Sequence, residues 1–221
     1  MIGGILQAIG WAFLPFLAWP VLHLIFPRNA VIKSVSEGTI AIIDGFTFRL
    51  GEATKWLLPI LVLSVAGSVF ALSIFGVTTT KWLESAKYLQ AFVIMLGAAA
   101  TLLAGQHVRV DIFHARMTDF GKARVDLFGF YLLMAPACLL LIWNAQSFVS
   151  FAWSIQEGSS EATGIRGVFI LKSLIPIFAV TMLVQGLSIA LRSAMCLCGQ
   201  MRPKRPKGIP PFFRTGSEEI L

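Results

Sequence analysis

Three stretches of the chain, residues 56–80, 88–106 and 127–156, contain no Asp, Glu, Lys or Arg, and a fourth, 167–191, contains Lys172 alone. At about 1.5 Å of rise per residue, each run is long enough for a helix to reach across a hydrocarbon core of about 30 Å. Only a closed hydrogen-bonding structure survives in lipid, and helices achieve that within one segment. The runs therefore predict an all-α membrane protein, a bundle of four transmembrane helices over about 56–80, 88–106, 127–153 and 167–191. The third run exceeds one perpendicular crossing, which predicts tilt or an extension at its Trp153 end. Pro136 predicts a kink there, and Pro176 is expected in the first turns of the fourth span, where proline costs least.

Composition agrees. Hydrophobic residues make up 57% of the chain against 13% charged, and the mean hydropathy is +0.79, a balance that a water-exposed surface does not tolerate. The formal charge of +7 would fit nucleic acid only if the basic residues covered one soluble face. They cluster between the apolar runs instead, which excludes a nucleic-acid partner. The three cysteines, Cys138, Cys196 and Cys198, form neither a disulfide framework nor a metal pattern. No Lys or Arg precedes Arg28, so a secretory n-region is missing and no cleavage is expected.

The basic residues also set orientation, because positively charged flanks are kept on the cytoplasmic side. Arg192, Arg202, Lys204, Arg205, Lys207 and Arg214 follow the fourth span, and Arg109, Arg116, Lys122 and Arg124 lie between the second and third. Both regions are expected inside, as is the region of Arg28, Lys33, Arg49 and Lys55. The loop holding Lys81 and Lys87, and the loop holding Glu157, Glu161 and Arg166, are expected outside. Three parts follow: residues 1–54, a hydrophobic N-terminal segment plus an amphipathic interfacial helix; 55–193, the four-helix membrane domain; and 194–221, a basic cytoplasmic tail that meets anionic lipid headgroups. Residues 1–27 are uncharged and long enough to span, yet Pro15, Pro20, His23 and two tryptophans suit an interface. A fifth span and an interfacial helix both leave Arg28 inside.

Polar groups within hydrocarbon are costly and therefore informative. Away from their ends the four predicted spans hold no Asp, Glu or Arg, and Asn144, Gln146 and Gln185 supply the amides there. Helix-to-helix hydrogen bonding, about 1 kcal/mol each, accounts for these. An ion path would need carboxylates, so the chain is not expected to move an ion by itself. Gly97, Thr101 and Gly105 recur every four residues on the second span and predict a face for close packing, within the chain or against a partner. His107-Val-Arg109-Val-Asp111 closes that span, with His114 and Arg116 beyond. Haem needs histidines facing one another inside the membrane, whereas these two lie in a charged segment. An interfacial stretch with Arg109 and Asp111 paired or snorkelling is the plain reading. No nucleophile, base and metal set is present to indicate an enzyme, and no cofactor is expected.

Taken together, the juxtamembrane residues form a pattern: Trp82 and Glu84; the His107-Val-Arg-Val-Asp111-Ile-Phe run; Pro136; Trp153-x-x-x-Glu157-x-Ser159; then Gly164, Lys172, Pro176 and Gln185-Gly186. In order and spacing this resembles the small, Q-type membrane subunit of tripartite ATP-independent periplasmic (TRAP) transporters, over about residues 55–192. The resemblance implies a four-helix subunit of a bacterial inner membrane, paired with a large TRAP permease subunit and a periplasmic substrate-binding protein. It implies ion-driven uptake of organic acids, with the transport site in the large subunit. Trp82, Glu84, His107, Arg109, Asp111, Glu157, Ser159 and Lys172 carry over as structural or interface positions, joined by Gly97, Thr101, Gly105, Trp153 and Gln185. Ile165-Arg166 departs from the family's usual Leu-Pro pair, and the uncharged stretch before Arg28 is longer than the simplest members need. The rival from another class is a membrane-anchor subunit of a respiratory complex holding haem or quinone.

Overall fold

The computed structural model describes residues 15–105 and 117–200. His107, Arg109 and Asp111, residues 1–14 and the segment 201–221 lie outside the described residues. Among the described residues the structure is helical throughout, with no strand. A short apolar helix α1 (Pro15–Ile25) precedes α2 (Ala30–Lys55), α3 (Leu57–Phe75) and α4 (Thr80–Leu103). After the undescribed segment come α5 (Asp119–Gly129), a π turn (Phe130–Met134), α6 (Ala135–Ser154) and α7 (Val168–Leu197). Four helical stretches are long and apolar enough to cross a membrane: Ala30–Phe75, Thr80–Leu103, Asp119–Ser154 and Val168–Leu197. The chain is thus an all-α bundle of four long apolar helices with an additional short apolar helix at its N-terminal side.

Local chemistry sets the helix ends. Asn29 Oδ1 accepts from the amides of Val31 and Ile32 at 3.0 and 3.4 Å and caps α2. Thr118 Oγ1 does the same for α5, accepting from Gly121 at 3.3 Å. These contacts satisfy amides that have no partner in a first helical turn. Gly76 and Gly105, with φ of 64° and 71°, follow α3 and α4 in the left-handed conformation that glycine adopts without strain. The helices run beyond the uncharged runs: α4 begins at Thr80 and takes in Lys81, Glu84 and Lys87, and α7 continues past Arg192.

The two prolines behave differently from each other. Pro136 has no N–H and its ring would strike the carbonyl four residues back. The chain opens a π turn over Phe130–Met134 just before it, and the Ala135 amide donates to Phe130 O. A widened turn of this kind is itself a place where helices bend. Pro176 corrects the sequence-based expectation. Because α7 starts at Val168, Pro176 lies in the helix interior, buried, and not in the first turns.

α7 is the axis of the bundle and packs against α2, α4, α5 and α6. Ile40 and Ile43 of α2, Ala99 and Leu102 of α4, Ile142 of α6, and Leu183, Leu187 and Leu191 of α7 form one buried cluster. In lipid, apolar side chains gain little by leaving one hydrocarbon for another, so close van der Waals fit decides which faces meet. The fit is tight at glycine. A Cβ on Gly186 would come within 2.8 Å of Met134 Cε and 2.9 Å of Phe130 Cδ2, and one on Gly51 within 2.5 Å of Ala100 Cβ.

Side-chain contacts sort the loops into two ends. At one end Thr163 donates to Thr80 at 3.1 Å, joining the start of α4 to the loop before α7. At the other, α1 and the turn before α2 meet the end of α7. Gln200 Nε2 donates to Pro27 O at 2.6 Å, which leaves Gln200 Oε1 facing His23 Nε2 at 3.0 Å. His23 Nδ1 lies 3.1 Å from Ser36 Oγ, which also accepts from Trp19 Nε1 at 3.1 Å. The regions of Arg28 and Arg192 thus share an end, as their charge pattern predicts.

Candidate functional site

Charged and polar groups inside the bundle gather at two levels. On the Gln200 side, Asp44 of α2 is 1% exposed. Its carboxylate accepts from Gln185 Nε2 at 3.2 Å, from Ser188 Oγ at 2.7 Å and from the Arg192 guanidinium. Residues 185, 188 and 192 are spaced by three and four, so one face of α7 presents all three donors. A carboxylate withdrawn from water needs an opposite charge and further donors to offset its desolvation, and all are supplied by this single face. Gln185 Oε1 is buried without a hydrogen-bond partner among the described residues.

At the opposite end, Glu84 near the start of α4 accepts from Ser159 Oγ and from the Ile165 amide at 2.6 Å. Ser159 N donates in turn to Ile165 O at 3.1 Å. Gly164 is boxed in: a Cβ there would come within 2.4 Å of Ser159 Cβ and 2.8 Å of Glu84 Oε1. Beside this loop, Lys172 Nζ lies 2.5 Å from Glu157 Oε2 and 4.0 Å from the Phe148 ring centroid. The ion pair and the ring face together hold the ammonium at the end of the bundle. Trp153 donates Nε1 to Ser173 Oγ at 2.8 Å and meets Phe169 edge-on at 4.8 Å. Trp82 donates to Ser64 O at 3.0 Å and covers Gly67, tying α3 to α4.

The predicted positions therefore divide. Glu84 and Ser159 meet directly, Glu157 meets Lys172, and Gln185 reaches across to α2. Within the chain, Gly97, Thr101 and Gly105 do not meet a single neighbouring helix. Gly97 sits beside Thr54 Cγ2, 3.6 Å from where its Cβ would be. Thr101 is exposed and bonds to Ala98 O of its own helix, and Gly105 ends α4. The close approach to α2 is made by Ala100 instead. The Asn144 amide donates to Leu140 O of its own helix and links no other helix among the described residues. Ile165 keeps its backbone contact with Glu84, so the substituted Ile165-Arg166 pair leaves the loop closed. Asp44 escaped the sequence reading. Its signal, three donors at helical spacing around Arg192, becomes visible only once α2 is known to pack on α7.

The geometry is that of helix-to-helix fastening. Among the described residues, no group of three or more His, Cys, Asp or Glu side chains could hold a metal ion. Cys198 Sγ lies 3.9 Å from His23 O, and burial pushes its thiol above the ordinary cysteine range, which makes it a poor nucleophile.

Residues 61–196 match the family described as tripartite ATP-independent periplasmic transporters, DctQ component. The chain belongs to this family. No curated protein and no solved structure matches it. As a DctQ component the chain is the small permease of a TRAP transporter, a transporter component and not an enzyme, and a multi-pass protein of the inner membrane. Membership implies association with a large permease and a binding protein, and gives no support to the respiratory-anchor reading. The match begins inside α3, so α1 and α2 precede the part that defines the DctQ component.

Proposed function

We propose that this DctQ component is a scaffold. It braces the large permease in the bilayer while that subunit carries organic acids, delivered by the periplasmic binding protein, at the expense of an ion gradient. One observation carries the reading: the carboxylates of Asp44, Glu84 and Glu157 are each engaged by donors from another part of the same chain, so they fasten helices together. A carrier needs polar groups left free to meet a solute or a cation in mid-membrane. The basic residues at the Arg28 and Arg192 end support a cytoplasmic C-terminus, and Glu84, Glu157, Ser159 and Lys172 then brace the periplasmic end.

The test is removal and recovery. The chain should co-purify with a large permease, and organic-acid uptake by cells should be lost when the chain is deleted and restored when it is supplied from a plasmid. Full uptake in the deleted strain would overturn the proposal.

A further inference from the structure

α6 meets the rest of the bundle with one side, on which Cys138, Ile142, Ala145 and Val149 are buried. The opposite side carries Leu140, Trp143, Asn144, Ser147 and Phe151, all exposed. At about 100° per residue these five fall within an arc of about 100°. Three of them can hydrogen-bond, and none does so with another helix among the described residues. The Asn144 amide returns one N–H to Leu140 O of its own helix, which leaves its Oδ1 and its second N–H unused. The Trp143 indole and the Ser147 hydroxyl have no partner among the described residues, whereas Trp19, Trp82 and Trp153 each donate the indole N–H within the chain.

Hydrocarbon does not supply what these groups lack. Residues 127–156 hold no Asp, Glu, Lys or Arg, and a crossing takes about 20 residues, so every crossing segment of that length within the run includes Trp143 and Asn144. A lysine reaches headgroups along its methylene stem; the short asparagine side chain does not, and exposed Leu140 and Phe151 flank it along the helix. Gln90 of α4, also exposed, differs, because it follows Lys87 by three residues near the charged end of its span. Tryptophan gathers at membrane interfaces, as Trp153 does beside Glu157, and not in the middle of an uncharged run. α3 shows what hydrocarbon tolerates: it buries Ser68 alone and carries neither an amide nor a tryptophan. An unpaired amide among acyl chains is costly, and another protein helix is what can pair it. Large aromatic side chains mixed with hydrogen-bonding groups are the composition of a protein interface.

We infer that a transmembrane helix of the large permease lies along the face of α6 formed by Leu140, Trp143, Asn144, Ser147 and Phe151, and presents a hydrogen-bonding group to Asn144. The inference rests on the reading of the chain as a brace for that subunit, and adds which face does the bracing. The test uses the complete transporter in cell membranes. A benzophenone side chain is placed at Leu140, Ser147 or Phe151, the membranes are irradiated, and adducts of the tagged chain are identified by mass. Adducts with the large permease are expected. Their absence from all three positions while the permease still co-purifies, or adducts with a second copy of the chain or with lipid alone, would overturn the inference and leave the scaffold reading standing. A permease that does not co-purify at all would defeat both. A second measurement isolates the amide. In graded detergent washes Asn144→Leu should release the permease about three- to tenfold more readily than the unsubstituted chain, and Asn144→Gln should retain more of it than leucine does. Neither change should lower the thermal unfolding of the chain alone, because Asn144 bonds only to its own helix. Equal release from all three proteins, or a matching fall in the unfolding of the chain alone, would also overturn the inference.

Discussion

α3 and α7 are built from nearly the same apolar side chains and have opposite fates. α7 buries fifteen of its 30 residues, while α3 buries Ser68 alone. Apolarity therefore places a helix in the membrane without choosing its neighbours. The choice is made by small and polar groups: Gly186, Ser188, Ala190, Ser193 and Ala194 are buried on α7, and they admit other backbones or bond to them.

The sharpest way to break this contrast is to remove the charge that α7 holds. Asp44→Ala removes the acid from the contact between α2 and α7 and leaves Gln185 and Ser188 without their acceptor, and breaking a buried ion pair costs up to about 3–5 kcal/mol. Thermal unfolding in detergent should fall accordingly, and α2 should become open to limited proteolysis. The double replacement Asp44→Leu with Arg192→Leu should recover much of that loss. Overfilling a close contact comes next. Gly186→Leu must displace Met134 and Phe130 and should cost about 1–3 kcal/mol, read in the same unfolding assay. Gln185→Leu removes one bond to Asp44 and also a buried oxygen that has no partner, so it should cost at most about 1 kcal/mol. Changes on α3, such as Leu63→Val, should fall within about 0.5 kcal/mol. A loss at Leu63 comparable to that at Gly186 would erase the distinction between the two helices.

The outer loop offers a further test of fastening. Glu84→Ala deprives both Ser159 and the Ile165 amide of their acceptor, and the loop over residues 159–165 should become cleavable by protease added from that side. Glu84→Gln keeps an acceptor oxygen and should protect the loop better than alanine does. Equal cleavage of the two variants would mean that the carboxyl oxygens do not hold the loop.

What could be read in advance follows the same division. Four spans were legible because a charge in hydrocarbon is so costly that uncharged runs mark the crossings. The shared sides of the loops followed from Lys and Arg. Glu84 and Ser159 were legible as members of a family pattern, although not as each other's partners, since 75 residues separate them and no local period links them. Asp44 was hidden because α2 mixes charged and apolar residues and so resembles a surface helix; its partners lie on α7, and sequence spacing cannot report contacts between helices. The small-residue stripe points two ways for a related reason. Gly105 lies beyond the last turn of α4 and Thr101 faces outward, so within the chain the close contact with α2 is made by Ala100, and spacing does not say which faces a partner takes.

The account holds that the chain fastens and braces, and that the solute moves elsewhere. Counterflow of organic acid in ion-loaded proteoliposomes tests this most directly, comparing the chain alone, the large permease with its binding protein, and all three together. Uptake is predicted only from the complete set, with the chain alone no faster than empty vesicles. Gradient-dependent accumulation by the chain alone would contradict the account.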